Sequence, residues 1–174
     1  MLELPLLLSL LIWLLVSMVY DLRYRELPAK LTLIPLALAG IYALLVHGAW
    51  VSVGFVAALV LIADLEPRQR RLLFAGVIVA FAVIFEPAAF VQFIILLTIW
   101  LLWDFGATGG ADAKLLFVIG LTVQQPAVFV LIALAGGIQG LVALLQHRKE
   151  IPFVVAIFVG ATLFVLDQLV LKIL

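Results

Sequence analysis

Cysteine is absent from this 174-residue chain, and charge is scarce, with Asp, Glu, Lys and Arg together making up 11% of the residues. Without a thiol there is no disulfide, no thiolate metal site and no cysteine nucleophile. The shortage of charge, against roughly 25% in an average soluble domain, excludes an ordinary water-exposed globule. Long polar stretches are missing too, so no segment between apolar runs is large enough to fold as a soluble domain. What remains is 68% hydrophobic, with a mean hydropathy of +1.40. The fold class expected is therefore all-α, a polytopic integral membrane helix bundle occupying residues 1–174 as a single membrane-embedded domain. The formal net charge is zero, and no nucleic-acid partner is expected beside the membrane lipid.

Eight apolar runs follow one another at residues 4–20, 31–46, 50–63, 72–85, 88–103, 115–123, 127–145 and 152–171. The first starts behind Met1-Leu2-Glu3 without a positive leader and ends in charge without a small-residue cleavage site, so it reads as a retained span. The sixth is short, about ten residues or roughly 15 Å of helix against a hydrocarbon core of roughly 30 Å, and on length alone it could be re-entrant. The basic residues arbitrate. Eight crossings with the N-terminus outside put Arg23, Arg25, Lys30, Arg68, Arg70, Arg71, Lys114, Arg148 and Lys149 inside and leave Lys172 outside. A re-entrant sixth run would carry Arg148 and Lys149 to the outer face. Eight helices, some short, are thus expected to cross a cell membrane.

Small residues spaced by four, Gly54 with Ala58 and Gly136 with Gly140, suggest close helix packing, and Gln92 and Gln139 within spans suggest interhelical hydrogen bonds. Asp64, Glu66, Arg68, Arg70 and Arg71 read as an interfacial charge cluster.

Chemistry concentrates in three segments. The first, Asp21-Leu22-Arg23-Tyr24-Arg25-Glu26-Leu27-Pro28, ends the first run, and Pro28 turns the chain into the second helix. Asp21 is either an interfacial charge paired with Arg23 or Arg25, or part of a site. The second segment, Asp104 through Lys114, contains Gly109-Gly110-Ala111-Asp112-Ala113-Lys114-Leu115. Its glycines leave a nearly bare backbone that an extended chain can approach. Asp112 either caps the next helix or acts chemically, Lys114 is either its electrostatic neighbour or a topology determinant, and Asp104 is either a solvated loop charge or the rival for the second catalytic acid. The third segment is His147-Arg148-Lys149-Glu150-Ile151-Pro152-Phe153, with Gly160 further on. The basic-residue topology puts Asp21 and Asp112 at the same, cytoplasmic, edge.

Taken together, the three segments resemble the prepilin peptidase family, the GxGD-type membrane aspartic proteases that process type IV pilins and archaeal preflagellins. An aspartate followed by basic residues and an Ile-Pro-like dipeptide corresponds to Asp21 through Leu27-Pro28. The GxGD-type motif running into Lys-Leu corresponds to Gly109, Gly110, Ala111, Asp112, Lys114 and Leu115, and the late Pro-Phe with a downstream glycine to Pro152-Phe153 and Gly160. Ala111 replaces the second glycine, which looks closer to the archaeal form. Four apolar runs separate the aspartates where two are usual, implying an added helical hairpin that preserves sidedness.

The resemblance implies an aspartic-type endopeptidase with Asp21 and Asp112 as the catalytic pair, and with Gly109, Gly110, Ala111, Lys114 and Pro28 in support. It implies no metal and no organic cofactor. Its substrates would be pilin-like precursors, cut at the cytoplasmic face between a short leader peptide and a hydrophobic N-terminal helix. No methyltransferase region is expected, so the chain reads as peptidase-only. Two other classes fit two aspartates in a membrane protein: an intramembrane protease of the presenilin or signal-peptide-peptidase type, although no Pro-Ala-Leu motif occurs in the late runs, and a non-enzymatic proton or cation carrier.

Overall fold

The computed structural model describes residues 4–147 and 152–173, with side chains described as far as residue 170. Arg148, Lys149, Glu150 and Ile151 of the third segment, and the side chain of Lys172, lie outside the described residues. The described chain is all-α, with eight helices: α1 (Leu4–Tyr24), α2 (Ala29–His47), α3 (Trp50–Ile62), α4 (Arg68–Phe85), α5 (Phe90–Asp104), α6 (Gly110–Val123), α7 (Ala127–Leu145) and α8 (Phe153–Ile173). A 3-10 turn at Pro87–Ala89 leads into α5. Five helical segments, Leu4–Tyr24, Ala29–His47, Pro87–Asp104, Ala127–Leu145 and Phe153–Val170, are long and apolar enough to cross a bilayer. The protein is a polytopic membrane bundle, and each expected run has become a helix.

Several helices extend beyond their apolar runs. Backbone hydrogen bonding propagates without regard to hydropathy, so α1 continues through Asp21 to Tyr24, α4 starts at Arg68 and α6 starts at Gly110. Those added turns carry the polar chemistry of the chain.

The contacts divide the chain into two compact units, residues 1–31 with 127–174 and residues 32–126. In the first, α8 packs against both α7 and α1. The α7–α8 pair is antiparallel and close: a Cβ added at Gly160 would collide with the Ile132 backbone, and one at Gly136 would meet the Phe153 ring at 3.0 Å. A side chain at either place would hold the helices apart. The other two small residues tested differ from expectation, since a Cβ at Gly54 or Gly140 would meet nothing within 4 Å. Spacing alone does not say which glycines face a partner helix.

On α1 the buried residues are Leu7, Leu10, Leu14 and Ser17. Alternating steps of three and four define one stripe, the pattern by which a helix keeps a single seam against its neighbours. Trp13 Nε1 donates to Leu31 O at 3.0 Å, a carbonyl that Pro35, having no N–H, leaves unclaimed within α2.

In the second unit α3 and α4 form a hairpin on which α5 packs, and α6 lies against α5 and α3. Fully buried Trp100 donates its indole N–H to Leu59 O at 2.8 Å. That carbonyl is available because α3 tightens at its end, where the Ala63 N–H turns to Val60 O. Gln92 Nε2 donates to Gly120 O at 2.8 Å, joining α5 to α6 as expected of a glutamine within a span. Gln139 donates to Pro152 O at 3.1 Å, tying α7 to the start of α8. Short α6, with 14 residues or about 21 Å, is buried on every side from Leu115 to Val123. It is not among the five helices long enough to cross by themselves, and its surroundings are protein rather than lipid.

Candidate functional site

Asp21 lies in the last turn of α1, four residues beyond Ser17 and therefore on the continuation of the buried stripe. Its backbone carbonyl accepts the Arg25 N–H at 2.8 Å, and Arg25 has φ 58°. The helix stops there because Leu27 precedes Pro28 and is steered away from helical dihedrals. Pro28 then opens α2, its carbonyl accepting the Leu31 N–H at 2.9 Å. Asp21 is half-buried, whereas Arg23, Tyr24 and Arg25 are exposed. Arg23 lies over the Tyr24 ring at 5.4 Å; among the described residues no ion pair within 4 Å joins Asp21 to Arg23 or Arg25, and Arg25 acts on Asp21 from further off.

The second acid is built from the end of α5 onward. α5 ends in a left-handed glycine motif: Gly106 has φ 74°, its N–H bonds Trp103 O at 2.9 Å, and the Ala107 N–H bonds Leu102 O at 2.8 Å. Both orphan carbonyls are thereby satisfied, and the chain reverses within a few residues. Gly109 is the extended N-cap of α6, and Asp112 falls in the first turn, where a negative charge is favoured by the helix dipole. A Cβ on Gly109 would lie 3.3 Å from Asp112 Oδ2. The carboxylate is therefore folded back over the cap toward the glycine loop.

Gly110 has a different task. A Cβ there would fall 2.8 Å from Trp103 Nε1, so the first turn of α6 rests directly on this indole. Lys114 Nζ lies over the same ring at 5.6 Å. One tryptophan thus seats both the bare glycine and the lysine of the motif, while Ala111 is half-buried beside them. Trp103 is the residue that motif reading missed; its sign in the sequence was an aromatic seven residues before the second glycine.

Asp104 corrects its expectation. Its side chain is 2% exposed and takes Arg68 Nε at 2.9 Å and Arg71 Nε at 3.0 Å. The Arg68 contact is a hydrogen bond, whereas the Arg71 Nε–H is not directed at the carboxylate and contributes as an ion pair. Arg71 Nη1 also donates to Ala63 O at 2.8 Å, and the Arg68 guanidinium covers the Phe105 ring at 4.0 Å. An acid at the C-terminal end of a helix is disfavoured by the dipole, and two guanidiniums offset that cost. The expected cluster of Asp64 and Glu66 with these arginines is replaced by a clamp joining the end of α3, the start of α4 and the end of α5.

The structure thus gives each candidate acid a defined seat, Asp21 in one unit and Asp112 in the other. Comparison of the chain with protein-family models, curated proteins and solved structures finds no match.

Proposed function

We propose that this protein is a membrane aspartic endopeptidase of the prepilin-peptidase type. Its acids are Asp21 and Asp112, and its substrates are pilin-like precursors cut between leader and hydrophobic helix at the cytoplasmic face. The observation that carries this reading is where the two acids sit in their helices. Asp21 and Asp112 occupy end turns of α1 and α6, each where an apolar run meets polar residues, and Asp104 is engaged in a separate clamp with Arg68 and Arg71. The arrangement of basic residues supports a cytoplasmic edge for both, with eight crossings and the N-terminus outside.

Two carboxyls about 3 Å apart do not both ionise cheaply, so a pair holds one proton and titrates as a unit. The ionised member takes a proton from water as the oxygen attacks the scissile carbonyl carbon, and the protonated member donates to the carbonyl oxygen. The tetrahedral species then collapses as its leaving nitrogen receives a proton and the C–N bond breaks, returning one proton to the pair. Either aspartate can take either role. The bare Gly109-Gly110 backbone offers a path on which an extended leader can lie, and the hydrophobic helix of the precursor can dock laterally from the lipid.

Membranes containing wild type, Asp21→Asn or Asp112→Asn, incubated with a pilin-like precursor, supply the test. Each variant is expected to lose cleavage by roughly 10³-fold. Retained cleavage in either removes the pair, and no cleavage by the wild type across a range of precursors removes the peptidase.

A further inference from the structure

Buried side-chain polar atoms without a hydrogen-bond partner are few among the described residues, and two of them are hydroxyl oxygens, Ser17 Oγ and Thr108 Oγ1. Both stand four residues before a candidate acid. Ser17 is fully buried, and it continues the seam Leu7, Leu10, Leu14 on which Asp21 falls one turn later. Side chains four apart on a helix are neighbours, with Cβ atoms about 6 Å apart, so a serine hydroxyl reaches the carboxyl above it by turning about one bond. Thr108 directly precedes the N-cap Gly109, over which the Asp112 carboxylate is folded back. Each acid thus follows, four residues on in the chain and in the same unit, a buried hydroxyl that has no hydrogen-bond partner.

A buried hydroxyl with no partner is costly, so its presence at such a place calls for a use of the group. Ordinary helix packing does not use it: Thr98, Thr122 and Thr162 each bond the carbonyl four residues back, the usual refuge of a hydroxyl in a span. Ser17 does not. We propose that Ser17 and Thr108 are positioning residues, each donating a hydrogen bond to the carboxyl four residues on, Asp21 and Asp112 respectively, and holding it in the orientation that proton transfer requires. The inference rests on the peptidase reading for its purpose, but the two hydrogen bonds stand or fall without it.

Two readouts separate those questions. Infrared difference spectra taken through an acid titration report the carboxyl bands of Asp21 and Asp112, assigned by their loss in Asp21→Asn and Asp112→Asn. Ser17→Ala is expected to shift the Asp21 band and Thr108→Val the Asp112 band, while Ser17→Thr and Thr108→Ser restore wild-type positions. In the cleavage assay the same two disruptive variants are expected to lower kcat about tenfold with KM unchanged, and the conservative variants to recover it. Unshifted bands in Ser17→Ala and Thr108→Val overturn the proposal whatever the activity. Shifted bands in a protein that cleaves no precursor keep the hydrogen bonds and sink the peptidase.

Discussion

A single buried carboxylate shows how far a residue's role departs from its place in the sequence. Asp104 stands among glycines and looks solvated, yet its side chain is 2% exposed between Arg68, 45% exposed, and Arg71, 21% exposed. The asymmetry of burial has a measurable consequence. Replacing the cations strands a charge that water cannot reach, whereas replacing the acid leaves cations that partly can be hydrated. Arg68→Gln combined with Arg71→Gln is therefore expected to cost roughly 3–5 kcal/mol in denaturant unfolding in detergent, and Asp104→Asn only about 1–2 kcal/mol. Equal losses would show that the clamp is solvated after all. None of this was readable beforehand, because Arg68 and Asp104 are brought together by the α4–α5 turn and no local spacing links them. Asp21 and Asp112 were readable, since each lies beside its own signal: Pro28 for one, Gly109-Gly110 for the other.

At the scale of helices, the apolar runs located all eight elements, and their errors are systematic. Hydropathy stops where charge begins, but α1, α4 and α6 each continue for about another turn, so the boundaries missed the turns that hold Asp21, Arg68 and Asp112. Packing was legible only in part. The pair Gly136 and Gly140 marks α7 as a packing helix, yet the tightest approach belongs to Gly160 on α8, because rotation about the helix axis decides which small residue faces the neighbour. The difference is testable with one methyl group. Gly160→Ala would drive a Cβ into the Ile132 backbone and is expected to destabilise by about 1–3 kcal/mol. Gly54→Ala, with nothing within 4 Å, should instead be neutral or stabilising by up to about 1 kcal/mol, from helix propensity alone. Thermal unfolding of the two variants side by side checks both signs, and a stable Gly160→Ala protein would contradict the close α7–α8 approach.

For the molecule as a whole, the decisive question is the sidedness of the loops, and the absence of cysteine makes it directly accessible. Every introduced thiol is the only one in the chain. The distribution of Lys and Arg predicts that the α1–α2 turn and the α5–α6 loop are cytoplasmic, while the α2–α3 and α6–α7 turns face outward. Single substitutions Glu26→Cys and Ala107→Cys should resist a membrane-impermeant maleimide added to intact cells and react once the membrane is opened. His47→Cys and Gln125→Cys should react in intact cells. The short helices give this test its force. A non-crossing α6 would carry the α6–α7 turn to the cytoplasmic side and reverse the label at Gln125 alone among these four, whereas a non-crossing α3 or α4 would set Glu26 and Ala107 on opposite faces. The first result would revise the path of the chain behind Asp112 and leave the acids together. The second would separate Asp21 from Asp112 by the thickness of the bilayer, a distance no side-chain motion spans, and with it the two-aspartate mechanism would end.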